Sequence, residues 1–244
     1  MTLHIGVLLI GTPQLLDLAS TDLFYMTTPT YLSDCIAPSP IQSLSRPCQI
    51  HYIGSTHAPA PTTAQMTILP TNSLSDSAVS PGKLDILLIP GRAPNATSPD
   101  DEYLDFVRAH NASGTAILSI CTGAYAIGYA GIADGKNVTG PRLLIADLRE
   151  RFPEAMWDGS VRVVRDGNLW SCGGITNGHD LVAAYLREHY PAPLVNFVLA
   201  LADVPSRPNA YESSAAADFG FVLWQVLWAF PNYLMRVLGG RGVM

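Results

Sequence analysis

The sequence predicts a doubly wound α/β domain, a mostly parallel sheet with helices on both faces, followed by a C-terminal helical extension. Three observations predict it. Continuous apolar runs at 3–10 (LHIGVLLI), 84–89 (LDILLI) and 115–120 (TAILSI) lack the alternation of a half-exposed strand, as strands covered on both faces do. Helix-patterned stretches separate these runs, the βαβ rhythm that parallel pairing demands. No internal repeat and no long linker divides the chain before about residue 203. The expected architecture is a single flavodoxin-like sandwich over 1–203 with a β-hairpin, and 204–244 as an apolar helical extension.

Taken in order, the run 3–10 is the first strand and ends in a turn at 11–13 (GTP). A helix is expected from Leu15 to about Met26. The Thr-, Pro- and Ser-rich stretch 27–48 reads as loop. Gln49–Ile53 and Met66–Leu69 are short strand candidates, with a turn or hairpin at 54–63 between them. The run 84–89 ends in Pro90 and Gly91. Asp100–His110 is a helix, with Ser98 as a plausible N-cap, Pro99 in the first turn and acids clustered there. The run 115–120 enters a small-residue helix at 122–130, and Arg142–Arg151 is another helix. Val161–Arg165 and Asn168–Cys172 flank Asp166 and Gly167, a two-residue hairpin signal. Leu181–His189 and Leu194–Asp203 are helical. In the extension, Phe221, Trp224, Leu227 and Trp228 share one helical face.

Composition excludes several function classes. The 244 residues carry 14 Lys+Arg and 20 Asp+Glu, a net charge of −6, and 48% are hydrophobic. That is too apolar for disorder and too acidic for a basic nucleic-acid surface, so no nucleic-acid partner is expected. Charged residues are 14% of the chain, against about 25% usually, which points to surface covered by a partner subunit. Cysteines at 35, 48, 121 and 172 form no CxxC pair and read as reduced thiols. The six histidines show no HxH or HExxH spacing, so no metal is expected. No GxGxxG or P-loop follows a strand, and no cofactor is expected. The N-terminus lacks a basic region and a cleavage site, which implies a cytoplasmic protein. Sequons at Asn95, Asn111 and Asn137 are then chance matches. Residues 219–238 approach the length of a membrane span, but Gln225, Asn232 and Arg236 argue against lipid. The segment is expected to pack on the body or on a second subunit, with contact at a membrane surface as the alternative.

The chemistry centres on Cys121. Ser119 and Gly123 place small residues two before and two after it, at the junction of an apolar strand and a helix. A sharp strand-to-helix turn needs that spacing, because the backbone crowds the nucleophile. A helix N-terminus would favour the thiolate, so Cys121 is expected to be the first thiol labelled by limiting iodoacetamide. Asp17 opens the helix after the first strand, where an acid serves the helix dipole. Backbone N–H groups of Thr122, Gly91 and Arg92 could stabilise developing negative charge. His179, in Thr176–Asp180, opens a helix and could face the same cleft, where a capping or supporting role fits better than a catalytic one. Cys172, at a strand end, reads as core, with approach to the cleft as the alternative.

The run AILSICTGAYAIGYAGIADGKNVTG resembles the nucleophile elbow of the ThiJ/PfpI superfamily, which is related to class I glutamine amidotransferases. Three further stretches are similar: LLDLASTDLF (15–24) to the acidic motif after the first strand, LLIPGR (87–92) to the Pro-Gly turn of the oxyanion hole, and VRDGNLWSCGGITNGHDLVAAYL (164–186) to the late hairpin and helix. The resemblance runs from about residue 3 to 203. It implies a homodimer, with Cys121 as nucleophile and Asp17 as its acidic partner. Many members carry a His after the elbow helix in a Thr-Thr-His-Trp stretch; Thr139, Gly140, Pro141 and Arg142 stand here, and proline cannot act as a base. That departure brings the chain closer to the isocyanide hydratase branch, a lyase that needs no cofactor. Ser20 and Thr21 replace the usual Gly-Pro after the acid, and Arg92 replaces the second Gly of the Pro-Gly-Gly turn, so the pocket differs. The expected substrate is a small electrophile, an isocyanide hydrated to an N-formamide. Two alternatives are a glyoxalase III-like conversion of an α-oxoaldehyde to a hydroxy acid, and a non-enzymatic cysteine redox sensor.

Overall fold

The computed structural model describes residues 2–93 and 96–239; Asn95 and the end of the extension, 240–244, lie outside them. The apolar runs form the heart of one sheet. Its strands are β1 (Leu3–Leu8), β2 (Cys48–Gly54), β3 (Asn72–Ser73), β4 (Ile86–Ile89), β5 (Ala116–Ser119), β6 (Val163–Asp166) and β7 (Leu169–Cys172). In space they lie in the order β6-β7-β5-β4-β1-β2-β3. Every pair is parallel except the β6–β7 hairpin.

Continuous apolarity follows from a core on each face. Ile5, Val7, Ile86, Leu88 and Leu118 point to one side, where Leu181, Leu186, Val195 and Val198 cover them. Leu8, Leu87, Ile89 and Ile117 point to the other, against Leu104, Val107, Ala124 and Ile127. The covering helices are α1 (Leu15–Ala19), α2 (Asp22–Tyr25), α3 (Pro29–Asp34), α4 (Ser39–Gln42), α5 (Asp101–Ala112), α6 (Gly123–Tyr129), α7 (Ile145–Arg151), α8 (Asn177–His189) and α9 (Ala192–Leu201). The chain leaves β1 toward β2 and β3, then returns to build β4, β5 and β7 on the other side. Strand order therefore reverses between β1 and β4, and the region beyond their carboxyl ends is where open α/β sheets place their ligands.

Several boundaries differ from the sequence expectation. The helix expected over 15–26 breaks into α1 and α2, and the Ser20 hydroxyl at the break donates to the Asp17 carbonyl (2.8 Å), a local bond that competes with helix continuation. The stretch 27–48 is not loop throughout. Thr28 caps α3 by accepting from the Tyr31 N–H (3.3 Å), and Pro29 and Pro40 each sit in the first turn of a short helix, where proline is tolerated. Helix α5 has Asp100, not Ser98, at its N-cap position, and α8 begins at Asn177, four residues before the expected Leu181.

Beyond α9, the chain over 204–211 pairs with residues 160–163, where the chain enters β6. The Arg162 N–H donates to the Asn209 carbonyl (2.8 Å) and the Tyr211 N–H to the Ser160 carbonyl (2.9 Å), while the Asn209 side chain bonds both main-chain groups of Val163. This strap blocks an edge that would otherwise template pairing. The Tyr211 ring lies between the guanidinium groups of Arg142 and Arg162, at 4.2 and 4.3 Å. Helix α10 (Ala215–Gly239) follows, held at its first turn by the Asp218–Arg142 ion pair. It does not pack on its own body: Trp224 and Trp228 are 56% and 70% exposed.

Candidate active site

Three loops meet beyond the carboxyl ends of β1, β4 and β5. The first carries Asp17 in α1, the second Gly91 and Arg92, and the third Cys121 and Thr122. Main-chain bonds clamp the first two together. Gln14 N–H donates to the Gly91 carbonyl (2.7 Å), and Thr12–Pro13 pairs antiparallel with Arg92–Ala93. Asp17 is fully buried, and its Oδ2 accepts from the Gly91 N–H (2.7 Å). The Arg92 N–H donates to Thr122 Oγ1 (3.1 Å).

Glycine at 91 is required by close approach and not by a left-handed turn. A Cβ there would lie 2.6 Å from both Asp17 Oδ2 and Thr122 Oγ1. At 123 a Cβ would collide with the Ile89 carbonyl, so the small residue two after Cys121 lets the elbow sit on β4. Cys121 itself has φ 55°, a left-handed backbone that a non-glycine residue adopts at a cost of about 1–3 kcal/mol.

Electrostatics couple Cys121 and Asp17. Burial pushes the Asp17 carboxyl up from 3.8 to about 7, opposed by the Gly91 N–H. Its Oδ1 is buried without a hydrogen-bond partner among the described residues, an arrangement that suits a protonated carboxyl. Burial first, then the charge of Asp17, pushes the Cys121 thiol up to about 11. The Thr122 and Ile175 N–H groups and the Thr122 hydroxyl act the other way on the sulfur. The thiolate expected from the helix terminus is therefore not the resting state, because burial and the nearby carboxylate outweigh a helix of seven residues. The Asp17 carboxyl therefore ionises first, and its charge holds the proton on the neighbouring thiol. Access does not favour Cys121 among the thiols: Cys35 is exposed while Cys121 is partly buried.

The other anticipated residues divide. The N–H groups of Gly91 and Arg92 already hold Asp17 and Thr122, so they position the pair; the donors aimed at the sulfur come from Thr122 and Ile175. The Arg92 guanidinium turns away to the Thr97 carbonyl. The His179 ring, half-buried at the start of α8, hydrogen-bonds neither Cys121 nor Asp17 among the described residues. Cys172 is buried beneath the elbow, where the Cys121 N–H donates to its sulfur. Ile175 escaped the sequence reading because it contributes a main-chain N–H, which no side-chain pattern reveals. No group of three or more His, Cys, Asp or Glu suited to a metal occurs among the described residues.

The DJ-1/PfpI family pattern matches residues 24–188. The chain belongs to the DJ-1/PfpI family. A curated relative, the isonitrile hydratase of Pseudomonas putida, is 32% identical over 193 residues, covering 77% of this chain and 72% of the relative. A ThiJ/PfpI family protein from Pseudomonas syringae superposes with a TM-score of 0.71 at 20% identity, covering 94% of this chain and 88% of that one. Drosophila melanogaster DJ-1beta superposes with a TM-score of 0.66 at 17% identity, covering 84% of this chain and all of the other. These two likenesses establish the shared DJ-1/PfpI fold, with its mostly parallel sheet between helices.

Proposed function

We propose that the chain is a cysteine-dependent hydro-lyase that converts a small isocyanide to an N-formamide, with Cys121 as nucleophile and Asp17 as proton shuttle. The observation that carries this reading is the coupled pair: a thiol raised to about 11 beside a buried carboxyl raised to about 7. Near pH 7 the thiol keeps its proton while the carboxyl is about half ionised, so a carboxylate is the base available to the thiol. As Cys121 Sγ bonds the terminal isocyanide carbon, Asp17 takes the thiol proton and passes it to that carbon, giving a thioimidate. Water then adds across C=N. Asp17 moves one of its protons to nitrogen, the C–S bond breaks, and the thiol recovers its proton as the N-formamide leaves. One water is consumed and nothing is oxidised or reduced. The Thr122 and Ile175 N–H groups stabilise charge on sulfur during both steps.

Support comes from the isonitrile hydratase among the relatives, and from Pro141 in the position where many family members carry a catalytic His. The chain works as a homodimer in which α10 supplies apolar contact. Thirteen large apolar side chains of α10 are at least 40% exposed, far more than the few hundred Å² of apolar patch that a monomer usually leaves open. No helix among the described residues is long and apolar enough to cross a membrane.

The direct test follows formamide from an alkyl isocyanide, with methylglyoxal as the comparison substrate. Formamide from the wild-type protein, lost in Cys121→Ala and in Asp17→Asn, is expected. Undiminished turnover in Cys121→Ala, or lactate from methylglyoxal with no formamide, overturns the reading.

A further inference from the structure

Four of the chain's 14 basic side chains converge on one small cavity, although the protein as a whole is acidic. The cavity, about 230 Å³, lies between the strap, the edge strand β6 and helix α8, and Arg162, Arg165, Arg187 and Arg207 line it. Two carboxylates answer them. Asp180 pairs with Arg207, and Glu188 pairs with Arg165. Arg162 gives its Nε to the Pro208 carbonyl (3.1 Å) and its face to Tyr211, neither of which cancels its charge. Arg187, exposed in the last turn of α8, makes no ion pair among the described residues. The local balance is two positive charges in excess, on a chain of net charge −6.

We propose that this pocket binds a compact dianion of the phosphate type and transmits its occupancy to Cys121 through Arg207. Guanidinium groups present paired donors that match the oxygens of such an anion. The volume is several times that of a water, about 30 Å³, so it admits a phosphate or a small phosphate ester and not a polymer. Transmission follows from what Arg207 holds. It donates to Asp180 Oδ1 (3.3 Å) and to the Thr176 carbonyl (3.3 Å), and Thr176 follows Ile175, whose N–H faces the Cys121 sulfur. An anion drawn in by Arg162 and Arg187 competes with Asp180 for Arg207. The grip on the 175–176 loop then changes, and with it a donor that tunes the thiol.

The test uses the intact protein, inorganic phosphate as probe and chloride at matched ionic strength as reference, and reads no turnover, so it stands apart from the proposed lyase activity. Phosphate should raise Tm and alter the rate of Cys121 alkylation, followed by peptide mass spectrometry. Arg187→Gln should leave Tm in chloride unchanged, because Arg187 has no ion-pair partner to lose, and should weaken phosphate binding about tenfold, the value of one charge-assisted bond. No rise in Tm with phosphate, or an equal rise in Arg187→Gln, overturns the site. A rise in Tm with an unaltered alkylation rate overturns its link to Cys121.

Discussion

Replacing Asp17 by Asn should make the protein more stable, and the gain should depend on pH. Asn keeps the oxygen that accepts from the Gly91 N–H and removes the ability to ionise; its NH2 takes the unpartnered Oδ1 position at a pH-independent cost of about 1–3 kcal/mol, which offsets part of the gain. In the unfolded chain the Asp17 carboxyl titrates near 3.8; in the folded one burial raises it to about 7. Well below pH 3.8 the carboxyl is neutral in both states and contributes no difference. Between pH 4 and 7 the unfolded chain releases a proton that the folded chain keeps, so wild-type stability falls as pH rises. Above about pH 7 the full cost applies. At 1.36 kcal/mol per pH unit that cost is at most about 4 kcal/mol, a shift of about 1 M or more in a urea midpoint. Urea unfolding of wild type and Asp17→Asn at half-unit steps from pH 4.5 to 8 reads the difference directly. A gain that grows toward pH 7 and then levels is expected. A difference that stays flat across this range would refute the view that Asp17 is held near neutrality by burial.

Three further outcomes follow from the site. Gly91→Ala places a methyl 2.6 Å from Asp17 Oδ2 and Thr122 Oγ1, so a thermal melt should show a loss of about 1–3 kcal/mol and steady-state kinetics a fall in kcat/KM of about a hundredfold. Alkylation of Cys121 should keep accelerating through pH 9 without a plateau, since its thiol lies at about 11; Asp17→Asn should move the rise to lower pH, and a plateau near pH 7 would contradict the coupling. Removal of residues 219–244 should halve the mass seen by light scattering, and an unaltered mass would show that α10 is not the dimer contact.

The sheet was legible because strands covered on both faces leave an unmistakable mark: Ile86 to Ile89 has no polar member. The elbow was legible because crowding around Cys121 restricts residues 119 and 123, which is a constraint on side-chain size. Asp17 was readable only with the resemblance beside it, since an acid opening a helix is common for dipole reasons alone. The state of the thiol was not readable, because it depends on burial and on a carboxylate 104 positions away in sequence. Helices α3 and α4 were missed because six and four residues are too short to show a period, and their prolines signal either a loop or a helix start. The strap and the Tyr211 clamp left no pattern, since they are built from isolated residues meeting distant arginines.

The left-handed backbone at Cys121 has a consequence for variation at that position. Glycine adopts φ 55° without steric conflict, so Cys121→Gly should gain roughly 1 kcal/mol of fold stability while removing the sulfur. Asp17→Asn points the same way. A library selected for heat resistance alone would thus drift toward substitutions at both positions and discard the chemistry early. Retention of Cys121 and Asp17 under such selection would mean that some constraint other than folding holds them, and recovering activity from a stabilised lineage would begin by restoring these two side chains.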